Sequence, residues 1–156
     1  MTTSVNPSAG LGNTNAFFTV ATSSKVMVNG DIAFTSVGDC EIIGLWSECI
    51  TANNATASTL QWQILPTTGS ATTISGASTT LASATVGTII VLDGGALATA
   101  PTIYASGVGL HTTARGIIFK EGTLKTVIGV GSTTGTWRHF IQYVPYETGA
   151  YIYPNF

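Results

Sequence analysis

Charged side chains are scarce in this 156-residue chain: 8% of residues, with five Lys and Arg against seven Asp and Glu, for a formal net charge of −2. Ordinary soluble domains carry about 25% charge. With no basic surplus to neutralise a phosphate backbone, a nucleic-acid partner is not expected. Long apolar runs are missing as well. No stretch reaches the roughly 20 consecutive apolar residues that span a bilayer, so no membrane partner is expected either. The opening segment, from Met1 through Pro7 to Gly12, has neither the basic nor the apolar region of a secretory signal. The expectation is a protein made and used without export. Cysteine stops at two, Cys40 and Cys49, nine positions apart. On one extended strand at ~3.3 Å per residue they are about 30 Å apart and cannot bridge. A turn near Gly44 would bring them together; the reading favoured here is two free, buried thiols.

Hydroxyls stand where charges are missing. There are 27 Thr and 13 Ser, and 44% of residues are hydrophobic, with a mean hydropathy of +0.38. That is too apolar for a disordered chain. The length fits one domain, and a chain of this size buries about 68–70% of its unfolded surface without metals or disulfides. So little charge protects a surface poorly against self-association. The first functional expectation is therefore a surface covered by copies of itself or by another protein.

Periodicity points to strands throughout. Residues 1–15 are small and polar and read as a flexible N-terminal arm, with 16–156 as the folded domain. Ala16–Val20 is short, aromatic and β-branched. Lys25–Val28 and Asp31–Phe34 flank Asn29-Gly30, a strong hairpin signal. Cys40–Ile50 is apolar with a bulge candidate at Gly44. In Thr59–Leu65, Leu60, Trp62 and Ile64 share one face, while Gln61, Gln63 and Leu65 share the other. A Thr/Ser-rich stretch at Thr67–Thr85 has only Ile74 and Leu81 to anchor it, and Val86–Leu92 reads as a buried strand. Gly116–Phe119, Leu124–Val130, Thr136–Val144 and Ala150–Tyr153 follow. In Trp137–Val144 neither face is purely polar, which predicts a central or interfacial strand. No window of 11 or more residues shows a helical apolar period. Eight to ten short strands predict an all-β fold: one antiparallel β-sandwich, jelly-roll-like.

Catalytic and metal signatures are missing. His111 and His139 are 28 apart, and no H-x-H, H-x-x-H or C-x-x-C spacing exists. There is no G-x-S-x-G and no Walker pattern. A Ser/His/Asp triad is spatial and leaves no trace in spacing. Glu41 and Glu48, seven apart, point to opposite faces of a regular strand, a parity that a bulge at Gly44 undoes. Neither cofactor nor metal is expected, and the chain does not read as an enzyme. Arg115, Lys120 and Lys125 read as edge-strand gatekeepers. Aromatic residues crowd the end of the chain, where Trp137, Tyr143, Tyr146 and Tyr151 are the candidate oligomer contacts.

Three stretches resemble the capsid decoration, or cement, proteins of tailed bacteriophages. The first is Gly30-Asp31-Ile32 with Glu41-Ile42-Ile43-Gly44-Leu45. The second runs from Ala57-Ser58-Thr59-Leu60-Gln61-Trp62-Gln63 to Val86-Gly87-Thr88. The third is Thr134-Gly135-Thr136-Trp137-Arg138-His139-Phe140 through Tyr143-Val144-Pro145-Tyr146 to Gly149-Ala150. Together they cover roughly residues 30 to 152. The resemblance implies a jelly-roll sandwich, made in the host cytoplasm, that forms a homotrimer and sits on the outer virion surface bound to the major capsid protein. Asn13, Asn15, Phe17 and Phe18 are then the candidate capsid contacts of the arm. The runner-up reading is a carbohydrate- or receptor-binding β-sandwich of a phage fibre, with the exposed aromatics as its stacking platform.

Overall fold

The structure, a computed structural model, describes residues 17–93, 96–105, 108 and 116–156. Those residues form twelve β-strands and no helix. In order they are β1 (Phe18–Ala21), β2 (Lys25–Val26), β3 (Ile32–Val37), β4 (Cys40–Cys49), β5 (Thr59–Pro66) and β6 (Thr72–Thr73). Then come β7 (Ile89–Val91), β8 (Thr102–Tyr104), β9 (Ile117–Phe119), β10 (Gly122–Gly129), β11 (Thr136–Pro145) and β12 (Tyr151–Pro154). One sheet runs β1-β11-β4-β7-β8, with β2 beside β11 and β9 beside β4. The other runs β12-β3-β10-β5-β6, and every pairing is antiparallel.

The pairings are nested. β7 pairs with β8, β5 with β10, β4 with β11 and β3 with β12. The chain thus behaves as one long hairpin rolled over itself, with successive segments passing between the two sheets, which is the plan of a jelly-roll sandwich. Period-two alternation decides which side of each strand faces in. On β5, Leu60, Trp62 and Ile64 are buried; on β11, Trp137, His139, Ile141 and Tyr143 are. These meet Phe34, Leu45, Phe119 and Leu124 in one core. Each large side chain taken fully out of water contributes about 1.5–3 kcal/mol. The anchors Ile74 and Leu81 are buried as the sequence indicates, at 2% and 1% exposure.

Two bulges adjust the alternation. On β4, Gln142 lies opposite Gly44 but Tyr143 lies opposite Ile42, leaving Ile43 as the extra residue. On β3, Leu124 lies opposite Phe34 and Lys125 opposite Ile32, leaving Ala33 unpaired. The first bulge lets both Cys40 and Cys49, an odd number apart, turn inward, where they are free thiols. It also places Glu41 and Glu48 on the same, outer side of the sheet, about 20 Å apart along the strand, too far for a catalytic carboxylate pair.

Three expectations need correcting, and one strand goes unannounced by the sequence. Asn29-Gly30 does form a turn, with Gly30 at φ +89°. Its flanks do not pair as a hairpin, because β2 joins β11 in one sheet while β3 enters the other. Lys125 is no edge gatekeeper, since β10 is the middle strand of its sheet. The strand read from Val86 begins only at Ile89, and Val86 is exposed in the preceding turn. Finally, β8 carries no alternation long enough to be seen in three residues.

Candidate interaction surface

The described groups capable of chemistry are mostly enclosed. Ser47 Oγ and His139 Nδ1 share a 2.6 Å hydrogen bond, but Ser47 is 0% and His139 1% exposed, so a substrate has no approach to either. His139 also donates its backbone N–H to Thr22 Oγ1 at 3.0 Å and presents its ring to the edge of Phe156. Burial pushes its pKa down from 6.5 to about 4, with Asp31 pulling the other way and Lys25 adding slightly to the depression. The imidazole is therefore neutral and structural at pH 7. Burial likewise pushes both cysteine thiols up, away from the thiolate form a nucleophile needs. Among the described residues no group of three His, Cys, Asp or Glu is placed to hold a metal, and no helix is long and apolar enough to cross a membrane. His111 and Arg115 lie outside the described residues.

The residues singled out as contacts fall into two groups. Trp137 is core: it is 0% exposed, and its Nε1–H donates to Asn53 Oδ1 at 3.3 Å. A buried indole of this kind presents no surface to a partner. Six residues along β11, about 20 Å away, Tyr143 closes the opposite end of the core, and its ring stacks on Phe18 at 5.5 Å. Phe18 lies opposite Tyr143 and is 44% exposed; Phe17, just before it, is 53% exposed. Tyr146, on the same end, is 52% exposed and donates its hydroxyl to Glu41 Oε2 at 3.2 Å. Tyr151 opens β12 opposite Val37, and β12 runs along the same flank as β1. Phe17, Phe18, Tyr143, Tyr146 and Tyr151 thus line one end and flank of the sandwich. The described residues begin at this end, with Phe17; residues 1–16, including Asn13, Asn15 and the whole of the arm, lie outside them.

Charge gathers at this same end. Asp39 pairs with Lys120 at 3.0 Å and accepts the Glu121 N–H at 3.1 Å; the lysine bond, first of these, holds its carboxyl below the usual range. Glu147 Oε1 accepts the Asp39 N–H at 3.1 Å. Four of the chain's seven carboxylates, Asp39, Glu41, Glu121 and Glu147, therefore sit around the aromatic end, each close to a turn or sheet terminus. Beside them an apolar opening of about 400 Å³ leads between β6 and β9 towards the core, with Ile64, Ile74 and Ile117 lining it and Lys120 at its rim.

The two outer sheet faces differ. On the larger sheet, Trp46 stacks on Phe140 at 5.1 Å and the Arg138 guanidinium sits over the same Phe140 ring at 4.7 Å, so that ring is already engaged rather than open as a sugar platform. On the smaller sheet, Ile32, Val37, Leu65, Tyr151 and Tyr153 are each between 38% and 49% exposed. The sequence signal for this second face was Leu65, an apolar residue on the polar side of an otherwise clean alternation. The chain matches no protein family, no curated protein and no solved structure.

Proposed function

We propose that this protein is a non-enzymatic virion component that binds the outer surface of an assembled bacteriophage capsid, as a self-associated decoration protein, and holds the lattice together. The observation that carries the reading is the exposed aromatic cluster of Phe17, Phe18, Tyr146 and Tyr151 at the end of the sandwich where the described residues begin. Aromatic residues exposed in a cluster are the usual anchors of protein contacts. The sequence resemblance supplies the partner, the major capsid protein, and the number three for the assembly. The charge-poor, hydroxyl-rich composition supports contact with other protein surfaces.

The physical logic is mass action. A protein that binds the assembled lattice and not the free subunits adds its binding free energy to assembly, as a ligand does to folding. An oligomer that bridges neighbouring capsomers also gains from multivalency, so modest contacts per subunit suffice. Deleting residues 2–15 and measuring decoration of purified capsids tests the role of the arm. The expected result is a folded, self-associating protein that decorates at least about tenfold more weakly, a loss of ~1.4 kcal/mol. Undiminished decoration removes the arm from the contact. An intact protein that binds glycans and never capsids replaces the whole reading with the carbohydrate-binding one.

A further inference from the structure

We infer that the outer face of the five-stranded sheet is the surface through which this chain meets a second copy of itself. The inference rests on the self-association in the proposed function, and not on the capsid or on the number three, since a face that meets its own copy closes at two. Cross-strand register assembles the face. Tyr151 lies beside Val37. Tyr153, Thr35, Thr123 and Leu65 form a row across four strands. Ile32, Lys125 and Gln63 form the next row. Lys125 is the one formal charge among the outward residues of these strands.

Three properties single out a second copy as the occupant. The first is charge. A face with one cation has nothing to offer a strongly charged partner, whereas the chain itself, with five basic and seven acidic residues in 156, is a matching neutral surface. The second is hydrogen-bonding chemistry. The polar side chains here are Thr, Gln and Tyr, each carrying both donor and acceptor, so identical faces can satisfy one another, which a face built of Lys or Glu cannot do. The third is size. Five strands at ~4.8 Å spacing and ~21 Å of strand length give about 500 Å² per copy and ~1,000 Å² for the pair, the scale at which a specific association becomes sustainable. Exposed Tyr151 and Tyr153 on the edge strand β12, together with Ile32, Val37 and Leu65, give a patch rich in aromatic and apolar side chains and poor in charge, the composition enriched at interfaces.

The experiment compares the full chain with Leu65→Lys and Tyr153→Lys, which place a charge on the face, and with Val86→Lys, which places one in the exposed turn before β7. Sedimentation velocity from low to high micromolar concentration reads the mass. The wild type is expected to sediment above its single-chain mass of 16.0 kDa. Leu65→Lys and Tyr153→Lys are expected to raise the dissociation constant at least about tenfold, and Val86→Lys to leave it unchanged. A wild type that stays monomeric throughout, or face variants that assemble as the wild type does, overturns the inference. If the face variants fail to fold, acylation of the wild type decides. Lys125 labelling must slow as concentration rises while Lys120, on the rim of the apolar opening, keeps its rate; equal rates overturn the assignment. No capsid is present in either measurement, so a failure here leaves capsid binding standing, and lost capsid binding with intact self-association leaves this surface standing.

Discussion

At the scale of single residues, the buried His139 links protonation to folding. His139 is neutral in the folded protein with a pKa of about 4, against 6.5 for an unburied histidine. Between those values the unfolded chain binds a proton that the folded chain refuses, so stability is full above pH 6.5 and falls as pH drops towards 4. The loss approaches about 3 kcal/mol. Urea midpoints measured from pH 8 to pH 4 are expected to show this fall in the wild type and to lack that part of it in His139→Gln. The two largest buried indoles make a second contrast. Trp62 Nε1–H has no acceptor among the described residues, whereas that of Trp137 reaches Asn53 Oδ1, which also accepts the Gly135 N–H at 2.8 Å. Both Trp→Phe changes remove the same volume. Only Trp62→Phe also removes an unsatisfied donor, so it is expected to be milder than Trp137→Phe by ~1 kcal/mol in denaturant titrations.

At the scale of elements, β4 shows how one inserted residue governs a sheet. With Ile43 as the extra residue, the two halves of the strand keep Cys40, Ile42, Leu45 and Cys49 all inward. Deleting Ile43 removes the bulge and leaves Cys40 and Cys49 an even number apart, so both halves keep their phase and Glu41 and Glu48 stay outward. The expected outcome is a soluble protein that keeps a cooperative thermal transition and loses less than ~3 kcal/mol, whereas a collapse of soluble yield shows that the bulge itself is required. The strands legible in the sequence were those whose alternation ran long enough to show a phase: β5, with Trp62 inward, and β11, with His139 and Tyr143 inward. The hairpin at Asn29-Gly30 was misread because turn chemistry reports only local backbone geometry. The choice of sheet is made by what each flank packs on, and Val26 and Phe34 go to different layers. Three-residue β8 was invisible because tertiary pairing to β7, not its own pattern, holds it.

At the scale of the whole molecule, nearly every pairing joins distant parts of the chain, since β3 waits for β10 and β12, and β4 for β11. Such topologies fold slowly, and refolding followed by Trp fluorescence is expected in the millisecond-to-second range. Of the interaction surface, the aromatic crowding near the C-terminus was legible. That Trp137 leaves that group for the core was not, because Tyr143 has the same inward phase six residues away. Both rings are packed, at 0% and 4% exposure, and the accessible aromatics of that group are Tyr146 and Tyr151, which lie after β11 and at the start of β12. The nested pairing has a last consequence, for synthesis. β12 begins about 120 residues after β3, and a ribosome adding ~5–20 residues per second takes roughly 6–24 s to bridge that interval. Throughout it the nascent chain holds β3 and Phe34 without their final partner, and the sandwich closes only when its last strand emerges. A chain this poor in charge has little to keep it apart from its neighbours while unfinished, and a stall placed before β12 is expected to yield aggregates rather than a shortened fold.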